Sequence, residues 1–120
     1  MESQRGYIAL LRFLYSIYQI EPQDSLGALL GGMELFPDGS TADPAYAHDW
    51  NIAVSQARST LPNNASEADI AYRAALFFLD EWLRIGYDKH IATARQIISE
   101  DSGWKLRQIY AAETSADGTY

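Results

Sequence analysis

The 120-residue chain contains no cysteine. A disulfide framework, a thiolate metal site and a cysteine nucleophile are thereby excluded, and a reducing compartment is the easiest setting. Basic residues are few, nine against sixteen acidic, for a net charge of −7. A field of that sign repels phosphate backbones and anionic lipid, so neither direct nucleic-acid binding nor membrane docking is expected, whereas a basic protein partner is attracted. The same acid excess also serves solubility. A long hydrophobic run is missing too. The best one, Tyr7 to Ile20, is interrupted by Arg12, Ser16 and Gln19, is shorter than a membrane span and follows no basic leader segment. It reads as a core helix, and the protein as cytoplasmic.

Catalytic motifs are equally scarce. Gly27 and Gly32 supply the first spacing of a phosphate loop, but Met33 and Glu34 stand where lysine and a hydroxyl residue belong. His48 and His90 have no zinc-type ligand set around them. Asp80-Glu81 and Glu100-Asp101 put their carboxylates about 100° apart around a helix, so they diverge rather than form an acid/base dyad. No GxSxG occurs, and no plausible base accompanies the serines. No catalytic residue, cofactor or metal is expected.

What the chain does have is helical periodicity. Hydrophobic residues make up 48% of it, and 120 residues suffice for one core. Tyr7, Leu11, Leu14 and Tyr18, flanked by Leu10, Phe13, Ile17 and Ile20, form the broad apolar face of a first helix that Glu21-Pro22 ends. Asp24 is placed to cap a second helix with Leu26, Leu29, Leu30 and Met33 inside, running to about Phe36-Pro37. Gly27 and Gly31, four apart, share one face of it and read as a close-packing device. Residues 37–44, PDGSTADP, are a loop. Asp43 and Pro44 start a third helix through Trp50 to about Ser59. Ser66 and Asp69 form a capping box for a long helix from Glu67 to about Tyr87, with Phe77, Phe78, Trp82 and Ile85 among its core residues. Asp88 caps a fifth helix, and after Asp101-Ser102-Gly103 a sixth carries Trp104, Leu106, Ile109 and Tyr110. No alternating run long enough for a sheet is present. The expected fold is all-α, a compact bundle of five to six helices in a single domain spanning 1–120, with a tail fraying from about residue 114.

Residues 6–20, GYIALLRFLYSIYQI, align without a gap on 71–85, AYRAALFFLDEWLRI, at an offset of 65. Tyr7/Tyr72, Ala9/Ala74, Leu11/Leu76, Phe13/Phe78, Leu14/Leu79 and Ile20/Ile85 are identical pairs. Each segment precedes an Asp-capped helix and then a Trp-bearing one, which reads as a degenerate two-unit helical repeat. The alternative is two amphipathic helices that converge on common core residues. On either reading the two long helices pack together at the centre.

The segment DSLGALLGGMELFPDGSTADPAYAHDW, residues 24–50, follows an aromatic-rich helix and carries a D-[DS]-L-G-x-L-L-G run, a P-D-G-x-x-A-D-P-A loop and a tryptophan-bearing helix. In these features it resembles a family of small bacterial immunity proteins encoded beside polymorphic toxins, notably those of contact-dependent growth inhibition. The resemblance covers residues 7 to about 55, and beyond them the AYRAALFFLDEWL helix. It implies a cytoplasmic, non-enzymatic protein that binds the C-terminal domain of a cognate toxin, typically a nuclease with a basic cleft, and blocks its active site or substrate entrance. The matching residues Asp24, Leu26, Gly27, Gly31 and Trp50 would then be scaffold. Candidate contact residues are Glu34 and Asp38 around the second helix and loop and Asp49 on the third helix, with Tyr46 as an aromatic anchor. A helical adaptor or regulator of some other protein shares these physical features.

Overall fold

The computed structural model describes residues 2–115, and over them the chain is all-α. Six α-helices are formed among the described residues: α1 (Glu2–Ile20), α2 (Asp24–Met33), α3 (Pro44–Thr60), α4 (Glu67–Ile85), α5 (Lys89–Ser99) and α6 (Trp104–Ser115), with a 3-10 turn, Glu100–Gly103, before α6. The one extended pairing among them is an isolated antiparallel bridge between Leu35 and Thr41. The fraying tail expected from about residue 114 lies, beyond Ser115, outside the described residues. A radius of gyration of 13.4 Å is that of a single compact unit of this length.

The helix starts follow local chemistry. Asp43 is extended and accepts from the Ala45 N–H at 3.0 Å, with Pro44 behind it. Ser66 and Asp69 satisfy each other's backbone N–H groups, the full capping box. Asp88 accepts from both His90 and Ile91. The exception is α2, whose cap is Gln23 rather than Asp24. Gln23 is extended, and its Oε1 takes the Leu26 N–H at 3.1 Å. Asp24 is instead the first helical residue, where its charge still complements the helix dipole. α2 also stops at Met33, short of Phe36-Pro37, because Glu34 turns extended and the chain enters a hairpin-like loop.

The buried side chains gather between α1 and α4. Phe13, Leu14, Phe78 and Leu79 are all at most 2% exposed, and Leu26, Leu29 and Met33 from α2 and Ile98 from α5 close the core around them. Tyr7, Trp50 and Phe78 meet edge to face at centroid distances of 5.8–6.4 Å. The two long helices do pack together: a Cβ added at Gly6 would come within 2.9 Å of Ala71 Cβ, so glycine is what allows α1 and α4 this contact. Three core expectations are overturned. Ile20 and Ile85 are 86% and 74% exposed, since each ends its helix past the point where a neighbour covers it. Trp104, 56% exposed, opens α6 toward solvent while Leu106 and Tyr110 take the core face.

The glycines of α2 divide differently from the expected face. A Cβ at Gly27 would press on Tyr18 of α1, and one at Gly32 would collide with the Tyr46 ring of α3, but Gly31 faces open space. The close approaches are thus at positions 27 and 32, on the two flanks where α1 and α3 pass.

Candidate partner-binding surface

The loop between α2 and α3 is built to hold its shape. Gly39 N–H donates to Phe36 O at 2.9 Å and Phe36 N–H to Ser40 O at 2.8 Å, with Gly39 at φ +88°. This is the three-residue hairpin connection in which a left-handed residue follows the turn, and glycine meets that requirement. Asp38 accepts from Ser40 N–H at 2.9 Å and from its hydroxyl at 2.6 Å. Those two bonds hold its carboxyl below the usual range, so it is ionised at neutral pH. Ala42 and Asp43 donate back to Glu34 O and Gly32 O, and the buried Thr41 hydroxyl donates to Asp43 O. Every turn of the loop is therefore pinned by its own hydrogen bonds.

Against this frame the four predicted contact residues separate. Glu34 and Asp38 are exposed, at the end of α2 and at the loop tip. Asp49 is half-buried on α3. Tyr46 is half-buried as well, not a free anchor: its ring lies edge-on to Phe78 at 6.3 Å and Trp82 at 5.5 Å and abuts Gly32. Burial raises its hydroxyl pKa, and the nearby carboxylates of Asp43 and Asp49 add to the rise. Tyr46 is a pillar between α2, α3 and α4. By contrast Tyr15 and Tyr87 are exposed.

Of the clefts along α3, two take up predicted residues, and those residues fall on different ones. The first, about 310 Å³, lies between the start of α1 (Gln4, Tyr7), the loop (Leu35, Asp38, Gly39, Thr41) and the 47/50/51 face of α3. The second, about 240 Å³, lies between α3 and α4, with Ile52, Ala53, Phe77 and Phe78 for its apolar surface and Asp49, Gln56 and Glu81 at its polar margin. Glu81 is held ionised chiefly by its hydrogen bonds to Arg84, one at 2.9 Å. The structure thus brings Asp38 to one cleft and Asp49 to the other, with Tyr46 as part of the support between them; Glu34 lines neither.

The lining residues Gln4, Tyr7, Asn51, Ile52 and Glu81 were not among the candidates. Their partial signal is spacing: 47, 50 and 51 fall on one face of a helix, and 49, 52, 53 and 56 on the next. Which neighbour each face meets is not a local property. Elsewhere, Asp80 is held by Arg95 at 2.8 Å and Glu81 by Arg84, so the two carboxylates of this pair go to different partners. Glu100 and Asp101 lie in the turn before α6, with Asp101 at φ +51°, rather than on the regular helix expected. Among the described residues no group of three or more His, Asp or Glu is placed to hold a metal ion, and no helix is long and apolar enough to cross a membrane. No family model, curated protein or solved structure matches the chain.

Proposed function

We propose that the protein is a stoichiometric inhibitor of the immunity type, a non-enzymatic cytoplasmic protein that binds the basic C-terminal domain of a cognate toxin and covers its active site or substrate entrance. The observation that carries this reading is the surface around α3, where an ordered, acid-tipped loop and two clefts with carboxylate margins stand on a chain of net charge −7. A rigid acidic surface loses little conformational freedom on binding and steers a basic partner into contact. The resemblance of residues 24–50 to immunity proteins of toxin systems supports the same reading.

The test is a pull-down and a growth-protection assay with the toxin domain encoded beside this gene. Nanomolar or tighter binding and rescue of growth are expected; a toxin domain that neither binds nor is neutralised overturns the proposal. A triple reversal, Glu34→Lys, Asp38→Lys and Asp49→Lys, should slow association by roughly tenfold or more at low salt and less at high salt. An unchanged on-rate would assign the interface to another face.

A further inference from the structure

The two halves of the chain are related by more than sequence. At the offset of 65, Gly6 on α1 lies against Ala71 on α4, its own counterpart. The counterpart caps Gln23 and Asp88 are brought near each other through Ser25, whose hydroxyl lies 2.5 Å from Gln23 Oε1 and 3.0 Å from Asp88 Oδ1. Self-contacts between equivalent positions mark an approximate twofold axis running along α1 and α4. The third helices exchange across it, α3 packing chiefly on α4 and α6 chiefly on α1. Their buried positions match at an offset of 56: Trp50, Val54 and Ala57 on α3 against Leu106, Tyr110 and Glu113 on α6. Gln4, Tyr7 and Asn51, which line the first cleft, therefore correspond to Asp69, Tyr72 and Arg107.

In the second half that place is filled. The Arg107 guanidinium pairs with Asp69 at 2.7 Å, donates through Nε to Ser102 O at 2.8 Å and lies 4.9 Å from the centre of the Tyr72 ring. A carboxylate, a linker carbonyl and an aromatic ring together hold one planar cation. In the first half comparable groups surround an open cleft of about 310 Å³: Tyr7 and Trp50 on its inner wall, the Asp38 carboxylate at its margin and Gly39 in the linker. Asn51 stands where Arg107 would be and is too short to fill the space. The Gln4 amide, in the place of Asp69, donates to Gly39 O at 3.4 Å.

We propose that this cleft is a receptor for one arginine side chain presented by a partner protein, its guanidinium occupying the position that Arg107 fills in the other half. Asp38 supplies the charge, the Gln4 and Asn51 amides and the Gly39 carbonyl supply acceptors, and Tyr7 and Trp50 supply the apolar wall. Lysine is a poorer fit, because a compact ammonium presents no planar fork and is more strongly hydrated. This deepens the proposed function by naming the chemistry that the partner must present, and it rests on that reading only for the partner's identity.

The experiment uses the intact protein and a blocked arginine, N-acetyl-arginine methylamide, titrated while the Trp50 indole and the Asn51 side-chain amide are followed by NMR. Saturable shifts confined to Gln4, Gly39, Trp50 and Asn51 are expected, with an affinity roughly tenfold or more above that of the blocked lysine analogue. Asp38→Asn keeps the acceptor for Ser40 and should leave the melting temperature unchanged while weakening binding about tenfold. Asn51→Arg places the chain's own guanidinium in the cleft and should abolish binding. Should that variant fold poorly, the Asp38→Asn arm decides.

Absence of saturable shifts, equal response to lysine, or full binding by Asp38→Asn overturns the proposal. So would free L-arginine binding more than about tenfold tighter than the blocked form, which would make the site a receptor for the amino acid itself. None of these outcomes touches the toxin pull-down, and a failed pull-down leaves the titration standing, so the two readings fail separately.

Discussion

The first half of the molecule, α1 to α3, and the second, α4 to α6, share a helical skeleton and differ in how it is sealed. Both long helices bury the same residues at the same positions, Leu11 with Leu76, Phe13 with Phe78 and Leu14 with Leu79. The linkers after them match in length, and the first-half cap Gln23 answers to Asp88. The divergence is at the next connection. Between α2 and α3 the chain uses the hydrogen-bonded loop of residues 34–43, whereas between α5 and α6 it uses Glu100–Gly103 alone. That short connection puts Asp101, Ser102 and Gly103 at φ +51°, +56° and +80°. The tight turn brings Ser102 O to Arg107, and the half closes. The longer loop touches α1 through the Gln4–Gly39 hydrogen bond but leaves the first cleft open between itself, α1 and α3. A shared skeleton thus fixes the core, while linker length and a few polar positions decide which half offers a binding surface.

The comparison is tested hardest in the core. Phe78→Ala should cost about 3–5 kcal/mol, a large part of a small domain's stability, because a fully buried ring is lost and the cavity cannot collapse among Tyr7, Tyr46 and Trp50. Phe13→Ala deletes the equivalent ring and should cost about 1 kcal/mol less, since among the described residues no such ring cluster is centred on it. Chemical denaturation of both variants measures the difference. A larger loss at Phe13 would mean that the twofold relation hides the real centre of the core.

The closed turn comes next. Gly103→Ala should lose about 2–4 kcal/mol, because position 103 is left-handed and a Cβ there would collide with the Tyr72 ring. The counterpart change in the open half, Ala47→Gly, alters an ordinary helical position and should cost only about 1 kcal/mol through helix propensity. Equal midpoints for the two variants would show that the short linker is not under the constraint that distinguishes the halves.

How much of this was legible in the sequence follows from what is local. Helix existence, and the caps at Asp43, Ser66 and Asp88, rest on hydrogen bonds within one turn, and the pattern of residues carries them. The cap at Gln23 was missed because the adjacent Asp24 is the better cap by propensity. What selects Gln23 is the bond network that Ser25 makes with it and with Asp88, sixty-three residues away. Tyr46 looked exposed because acids and a loop flank it, but whether a tyrosine faces solvent depends on the helix that passes over it. For the same reason the candidate carboxylates Asp38 and Asp49 could be named while their separation onto two clefts could not.

The glycines of α2 give a sharper test of the same point. Gly31 is exposed with open space around it, so Gly31→Ala should raise stability by about 0.5–1 kcal/mol through reduced entropy of the unfolded chain. Gly32→Ala should instead lose about 1–3 kcal/mol, because the Tyr46 ring would have to leave its seat against Phe78 and Trp82. Thermal melts of the two single variants, one position apart, should move in opposite directions. A shift of the same sign in both would make α2 indifferent to how α3 packs on it.

The smallest effect expected is a difference in acid sensitivity between the two half-repeats. The start of α2 is capped by Gln23, which does not titrate, whereas the start of α5 is capped by Asp88. The Asp88 carboxyl is held below its ordinary value first by the Ile91 N–H, then by the Ser25 hydroxyl and the His90 N–H. Asp69 is held low chiefly by its hydrogen bond to Arg107, and its first-half counterpart, Gln4, also lacks a charge to lose. A carboxyl with a depressed folded pKa contributes stability that is complete above its unfolded value of about 3.9 and is lost as pH falls through the folded value. Acidification from about pH 5 to about pH 3 should therefore loosen the first turn of α5, and the Arg107 contact on α4, before the first turn of α2. The loss is modest because both carboxylates are solvated and screened. Amide-exchange protection, corrected for the intrinsic rate, should fall at His90 and Ile91 while it holds at Leu26. Asp88→Asn, which keeps an acceptor without a proton to gain, should flatten the response. If protection at Leu26 and Ile91 declines together, with one midpoint, the halves unfold as a unit and the closed half's ion pairs have no local role in its stability.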